Sequence, residues 1–198
     1  MDHDLRLATH GVALVPLGHE HAEALLGLID EPLWAGMTTP VPRGVADLTA
    51  WVDAALATPG RYAFAVVDEA SGEVRGSTSF YDVDRTVRRL EIGHTFYGRG
   101  WWGGRTNPAC KLALLTHAFD GWDMHRVALR ADARNARSVA AMRRLGAVAE
   151  GVLRGHRLAA DGSRGDTAYF SILAPEWPDV RAGLLARLTT APDRPSTT

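Results

Sequence analysis

The residues between Arg89 and Phe119 are the ones whose types and spacing could do chemistry. The run Arg89-Leu90-Glu91-Ile92-Gly93-His94-Thr95-Phe96-Tyr97 leads into a loop holding Gly98, Gly100, Gly103 and Gly104. Asn107-Pro108 then opens a helix marked by Leu112, Leu115, Ala118 and Phe119. A helix N-terminus presents unpaired N–H groups and the positive end of the helix dipole. A glycine-rich entry lets a ligand come close to those amides, and phosphate binds in such places. Arg99 and Arg105 add charge and forked donors. The chemistry suggested is a pyrophosphate cradle. The same glycines would also serve a plain flexible loop, and they fit neither G-x-G-x-x-G nor G-x-x-x-x-G-K-[ST]. Two proton-exchanging groups precede the loop, Glu91 and His94. A histidine titrates nearest neutrality. In a regular strand their odd spacing sends them to opposite faces, and a bulge would change that. Glu91 would equally serve as an ion-pair partner for Arg88 or Arg89. Farther on, Asn135-Ala136-Arg137-Ser138 reads as a capped helix start.

The elements that must position these residues follow from periodicity. Val12–Leu17, Tyr62–Val67, Val74–Tyr81, Arg89–Tyr97 and Arg126–Arg130 read as strands, as do about Val148–Leu158 and Asp166–Leu173. Helices are expected over His19–Ile29, Val45–Thr58, from Asn107 (as cap, with Pro108 at the first helical position) to Phe119, from Asn135 to Gly146, and from Pro175 to Leu188. Pro32 to Gly44 reads as a loop, and Asp161-Gly162 as a turn. The order β-α-α-β-β-β-α-β-α-β-β-α predicts one α/β (or α+β) domain over residues 1–190, with at least one parallel strand pair in a mixed sheet. The polar tail 191–198 is expected to be disordered.

Composition narrows the classes. The chain has 198 residues, 46% hydrophobic and 23% charged, which suits one globular domain. A single cysteine, Cys110, excludes a disulfide framework and fits a reducing cytoplasm. No apolar run approaches the ~20 residues of a membrane helix, and the acidic start Met1-Asp2-His3-Asp4 does not resemble a signal peptide. The net charge of -1 hides an asymmetry: residues 85–157 carry 14 Lys/Arg against five Asp/Glu. That segment is a candidate anion site, although its arginines would also suit solvated helix faces or pairing with the acidic remainder. No metal is expected, since His19 and His21 do not share a helix face and no cysteine lies near them. Gly-x-Ser-x-Gly is absent. Of the six tryptophans, Trp34, Trp101 and Trp102 fall in expected loops, where they could wall an acceptor site or simply anchor the core.

In combination, Glu91-Ile92-Gly93, the glycine-rich turn into Asn107–Phe119, and Asn135-x-x-Ser138 through Leu145-Gly146 and Glu150-Gly151 resemble the GNAT superfamily of acyl-CoA-dependent N-acyltransferases, in its RimJ/RimL-like branch. The resemblance spans Leu5 to about Leu188. It implies a mostly antiparallel central sheet flanked by helices, with a parallel pair splayed at the acyl-CoA cleft. Trp102-Gly103-Gly104-Arg105-Thr106-Asn107 takes the place of the family's Gln/Arg-x-x-Gly-x-Gly/Ala motif, departing from it at Arg105 and Asn107. The resemblance implies that amides of Gly103, Gly104, Arg105, Thr106 and Asn107 hold the pyrophosphate. It further implies that Thr95, Phe96 and Tyr97 pair with the pantetheine amides and that Asn135 bonds the same arm, with Lys111 and Arg137 as candidates for the ribose phosphate.

Moving an acyl group from a thioester to an amine requires a proton acceptor, an oxyanion donor and a way to protonate the departing thiolate. Glu91 matches the position of a glutamate that is catalytic in many GNAT enzymes, and His94 is the second candidate; the family commonly has a bulge on this strand. Many relatives carry a tyrosine where this chain has Met142, so Ser138 is the nearest hydroxyl, and it also suits a plain first-turn role. The resemblance thus implies transfer of an acetyl group from acetyl-CoA to a primary amine, either a protein or peptide α-amine or a small amine, with succinyl and other longer acyl groups also used among relatives. Nucleic acid is disfavoured as a partner by the pI near 6.7. A CoA-binding sensor without turnover stays open as the alternative, as does a homodimer.

Overall fold

The computed structural model describes residues 3–158 and 162–193. One eight-stranded sheet runs β1-β2-β3-β4-β5-β6-β8-β7. Its strands are β1 (Leu7–Thr9), β2 (Val12–Pro16), β3 (Tyr62–Asp68), β4 (Val74–Asp84), β5 (Arg89–Tyr97), β6 (Arg126–Asp132), β7 (Val148–Leu158) and β8 (Arg164–Leu173). All neighbours are antiparallel except β5 and β6, which run parallel. The helices are α1 (Ala22–Leu26), α2 (Glu31–Trp34), α3 (Val45–Ala57), α4 (Thr106–Thr116), α5 (Ala136–Leu145) and α6 (Trp177–Thr190). This is the mixed, mostly antiparallel α/β fold that the sequence resemblance implied. None of the helices among the described residues is long and apolar enough to cross a membrane.

Strand β3 shows how both faces are covered. Phe64 and Val66 join a core with α4 and α6, while Ala63, Ala65 and Val67 join a second core with α1, α2 and α3. Alternate residues thus serve opposite layers, and the strand reads as a continuous apolar run because neither face meets water. At the other end of the sheet, edge strand β7 leaves Val148, Val152, Leu153 and Leu158 exposed.

Several boundaries differ from the sequence expectation. Strand β1 is added ahead of β2, joined through His10 and Gly11, both at positive φ. The helix expected over 19–29 is a 3₁₀ turn, His19–His21, followed by α1, which stops at Gly27. The expected loop from Pro32 begins as helix α2, because the Asp30 carboxylate accepts from Leu33 N at 2.8 Å. Helix α4 starts at Thr106 with Arg105 at its cap, so Asn107 is not the N-cap and Pro108 lies within the first turn. Proline is tolerated there because those N–H groups have no intrahelical acceptor. α4 passes into a π turn at His117–Gly121 instead of running as α-helix to Phe119. Asn135 does cap α5, its side chain accepting from Ser138 N at 3.0 Å, and Gly146 ends it at φ +95°. Of the tail expected to be disordered, 191–193 are docked: Pro192 O accepts from Arg105 N at 3.0 Å, and Asp193 faces Arg75 and Arg105. Residues 194–198, and Asp161 of the expected turn, lie outside the described residues.

Strand β4 holds β5 in place through a close approach at Gly76. A Cβ there would lie 2.1 Å from Phe96 O, which belongs to rigid paired backbone. Gly76→Ala is therefore expected to lower the unfolding free energy by about 1–3 kcal/mol, measured by urea denaturation; an unchanged midpoint would show that β5 can shift freely.

Candidate active site

The site forms where β5 and β6 separate. Their parallel pairing covers Arg89 with Arg126, Leu90 with Val127 and Glu91 with Ala128, and ends there. Beyond it β5 continues to Tyr97 and β6 to Asp132. A cavity of about 700 Å³ opens between them, lined also by residues of α4, α5, α6 and the loop around Met37.

One part of this cavity is cationic. Lys111 of α4, Arg137 and Arg144 of α5, and Arg187 of α6 all face it. Lys111 is buried, and burial pulls its pKa down. Burial, with Arg144 nearby, pulls Arg187 down as well. Lys111, Arg144 and Arg187 have no carboxylate partner among the described residues. The Arg137 guanidinium lies 3.5 Å from the centre of the Trp102 ring, and Trp102 Nε1 donates to Tyr97 O at 2.7 Å. The indole thereby fixes a cation against the strand end.

The other part is a cluster of titratable groups around β5. Between the partners Ser77–Phe96 and Ser79–Gly93 the β4–β5 register shifts, and His94 sits in that bulge at φ +49°. The bulge turns His94 toward Tyr81, ring centroids 5.1 Å apart. Tyr81 also reaches Glu91, donating its hydroxyl hydrogen to Glu91 Oε2 at 2.6 Å. The opposite-face arrangement of a regular strand therefore does not hold: Glu91 and His94 both touch Tyr81. Arg130 Nε donates to the Tyr81 oxygen at 3.0 Å and lies 3.3 Å from Glu91 Oε2, while its Nη1 donates to the Tyr169 hydroxyl at 2.7 Å. Gly93 makes room for this: a Cβ there would lie 2.7 Å from Tyr81 Cε1 and 3.0 Å from its oxygen.

These surroundings set protonation. Burial first, then Arg61 and Arg130, bring the His94 pKa down to about 4, so the ring is neutral at pH 7. Burial and the Glu91 carboxylate push the Tyr81 phenol well above its ordinary range. Burial works against the charge on Arg130, but Tyr81, Tyr169 and Glu91 outweigh it and raise its pKa.

The sequence candidates divide accordingly. His94, Thr95, Phe96, Tyr97, Gly103, Asn107, Lys111, Asn135, Arg137 and Ser138 line the cavity. Glu91 does not reach the wall; it is buried behind Tyr81, and its ionic partner is Arg130, whereas Arg88 pairs with Asp123. Gly104, Arg105 and Thr106 also stand off the wall. Arg105 turns to Asp193 with its backbone amide occupied by Pro192, and the buried Thr106 hydroxyl accepts from Arg75. Trp34 is a core residue packed on Trp51 and Phe96, whereas Trp101 and Trp102 line the cavity. Met142 lines it too and supplies no proton. Sequence reasoning missed Tyr81 and Arg130. The signal was register: Tyr81 is the cross-strand partner of Glu91, and Arg130 follows by two residues the β6 partner of Glu91, Ala128.

With this geometry in place, the likeness to known proteins is direct. The acetyltransferase (GNAT) domain matches residues 12–148, and the chain belongs to that family. A structure from T. thermophilus with the provisional name acetyltransferase is 35% identical, with a TM-score of 0.88, covering 95% of this chain and 99% of that one. A Bacillus subtilis protein with the provisional name ribosomal N-acetyltransferase YdaF is 33% identical over 54% of this chain and 57% of its own length. The chain thus spans little more than half of that relative. RimJ of Mycobacterium smegmatis, whose structure is a complex with CoA-disulfide, shares the fold at 22% identity and a TM-score of 0.75, with 92% of both chains covered.

A histidine held neutral by folding makes stability pH-dependent. An unfolded His94 would titrate near 6.5. Its contribution is therefore present above pH ~6.5 and lost as pH falls toward 4, by at most about 3 kcal/mol. His94→Asn, which suits a left-handed backbone, is expected to lose less stability than wild type between pH 7 and 4.5 in urea titrations. Parallel losses in the two proteins would mean that His94 is not held neutral by the fold.

Proposed function

We propose that this chain is an N-acyltransferase that moves an acetyl group from acetyl-CoA to a primary amine. The observation that carries this is the opening between β5 and β6, which joins a cationic end to a buried Glu91–Tyr81–Arg130 cluster through one cavity. The residues present fit a phosphorylated thioester donor. Lys111, Arg144 and Arg187 offer charge that no carboxylate among the described residues neutralises, and the β5 edge from Ile92 to Tyr97 has no β6 partner. Unpaired backbone groups there would bind the amides of an extended pantetheine arm. Asn135 and Arg137 also line the cavity, and we assign them to that arm and to the phosphates. The thioester, once bound, supplies the acyl group and a thiolate leaving group.

The chain's own residues then handle the proton. The two base candidates are His94, which lines the cavity and is held neutral at pH 7 by burial and by Arg61 and Arg130, and Glu91, which Tyr81 links to the cavity. Glu91 is favoured as the acceptor, with Arg130 beside it to fix the carboxylate in place. Ser138 lies on the wall and is the candidate donor to the departing sulfur. A protein or peptide α-amine is the acceptor we favour, supported by the YdaF likeness and its name.

Acetyl-CoA at a hundred times its Kd is expected to stabilise the fold by about 2.7 kcal/mol, read as a rise in melting temperature. No shift with either acetyl-CoA or CoA would remove the acyl-CoA reading, and a shift without turnover on a panel of amines and N-terminal peptides would favour a sensor. Glu91→Gln keeps an acceptor oxygen for Tyr81 but cannot take up a proton. It should lower kcat by about 10²–10⁴-fold while acetyl-CoA affinity is kept. Full activity in this variant, measured by release of free thiol, would exclude Glu91 as the base.

A further inference from the structure

We propose that Tyr81 is a catalytic residue: its hydroxyl carries the proton from the acceptor ammonium in the cavity to the Glu91 carboxylate behind it. This rests on the acyltransferase reading and adds a residue to it. Glu91 is buried and absent from the cavity wall, so a base at that position needs a path to the amine. Tyr81 supplies one. Tyr81 lines the cavity, and its oxygen lies 2.6 Å from Glu91 Oε2.

A phenol oxygen has one proton and two lone pairs. The proton is directed at Glu91, and one lone pair takes the Arg130 Nε–H at 3.0 Å. The second lone pair is left for a donor arriving from the cavity, and an ammonium N–H is such a donor. Transfer is concerted, because burial and the neighbouring carboxylate make a free phenolate unfavourable. The ammonium N–H bond breaks as a new Tyr81 O–H bond forms, and the old Tyr81 O–H bond breaks as the Glu91 O–H bond forms. The amine becomes neutral with its lone pair available, the phenol is regenerated, and Glu91 ends as a carboxylic acid that returns its proton to solvent after the product leaves. Arg130 keeps its charge throughout and holds both oxygens in line. Gly93 is part of the device, because only a residue without Cβ lets the phenol lie across β5 to reach Glu91.

The test compares wild type with Tyr81→Phe, Glu91→Gln and the double variant, using acetyl-CoA and an amine that wild type accepts. Tyr81→Phe is expected to lower kcat by about 10²-fold with acetyl-CoA affinity kept within about twofold, and to shift the acid limb of the pH–rate profile upward toward the pKa of the free amine. The double variant should be no slower than the slower single variant, since both interrupt one relay. Replacing Tyr81 with a fluorotyrosine keeps the ring and the fold while changing phenol acidity, and kcat should respond. Unchanged kcat in Tyr81→Phe and the fluorinated protein, or losses that multiply in the double variant, would overturn the relay while leaving the acyltransferase reading intact. A wild-type protein that neither binds acetyl-CoA nor acetylates any amine would overturn both.

Discussion

The structure depends on an interruption of backbone pairing. β5 and β6 share one sheet for only as long as Arg89–Glu91 faces Arg126–Ala128, and then part. Interior backbone N–H and C=O groups demand partners, so a strand that leaves its neighbour inside a protein needs something else to bond. Here the gap is flanked by helix ends and cations, and Glu91 is the last residue paired before it opens. The strand is therefore rigid at the base candidate and open immediately beyond it. This lets one strand both anchor chemistry and receive an extended ligand.

Burying Glu91 is unfavourable unless its charge is met by hydrogen bonds and an opposite charge. Tyr81 and Arg130 meet it from the strands on either side, β4 and β6, so the carboxylate ties together three strands at the point where two of them diverge. The same guanidinium extends to Tyr169 on β8. The bulge at His94 solves a different problem. It brings an aromatic ring onto the Tyr81 side of the strand without breaking the ladder with β4. Burial, with Arg61 and Arg130, then keeps that ring uncharged, so His94 adds no further positive charge beside Arg130.

Much of this was legible in the sequence. Alternation and turn residues placed the long strands from β3 to β8, and the Asn135 cap and Gly146 stop bounded α5. What escaped were features decided by partners distant along the chain. Helix α2 needed Asp30 to be recognised as a cap just ahead of a proline- and glycine-rich stretch, and α4 began two residues earlier than Asn107-Pro108 suggested. Arg105 looked like a ligand contact because of its place before a helix, yet a carboxylate from residue 193 and a carbonyl from residue 192 meet it first. Tyr81 carried no local motif at all. It became visible only once strand register set it opposite Glu91, which no reading of a single segment supplies.

The packing of Tyr81 over Gly93 ties the mutational histories of the two positions together. While the phenol lies across β5, a side chain at position 93 collides with it. If the phenol is lost first, the space above position 93 is vacated and that restriction is relaxed. The two substitutions are thus epistatic, and the order in which they arise matters: a lineage that abandons the tyrosine can then drift at the glycine, but the reverse route passes through a protein whose tyrosine has been pushed off its carboxylate.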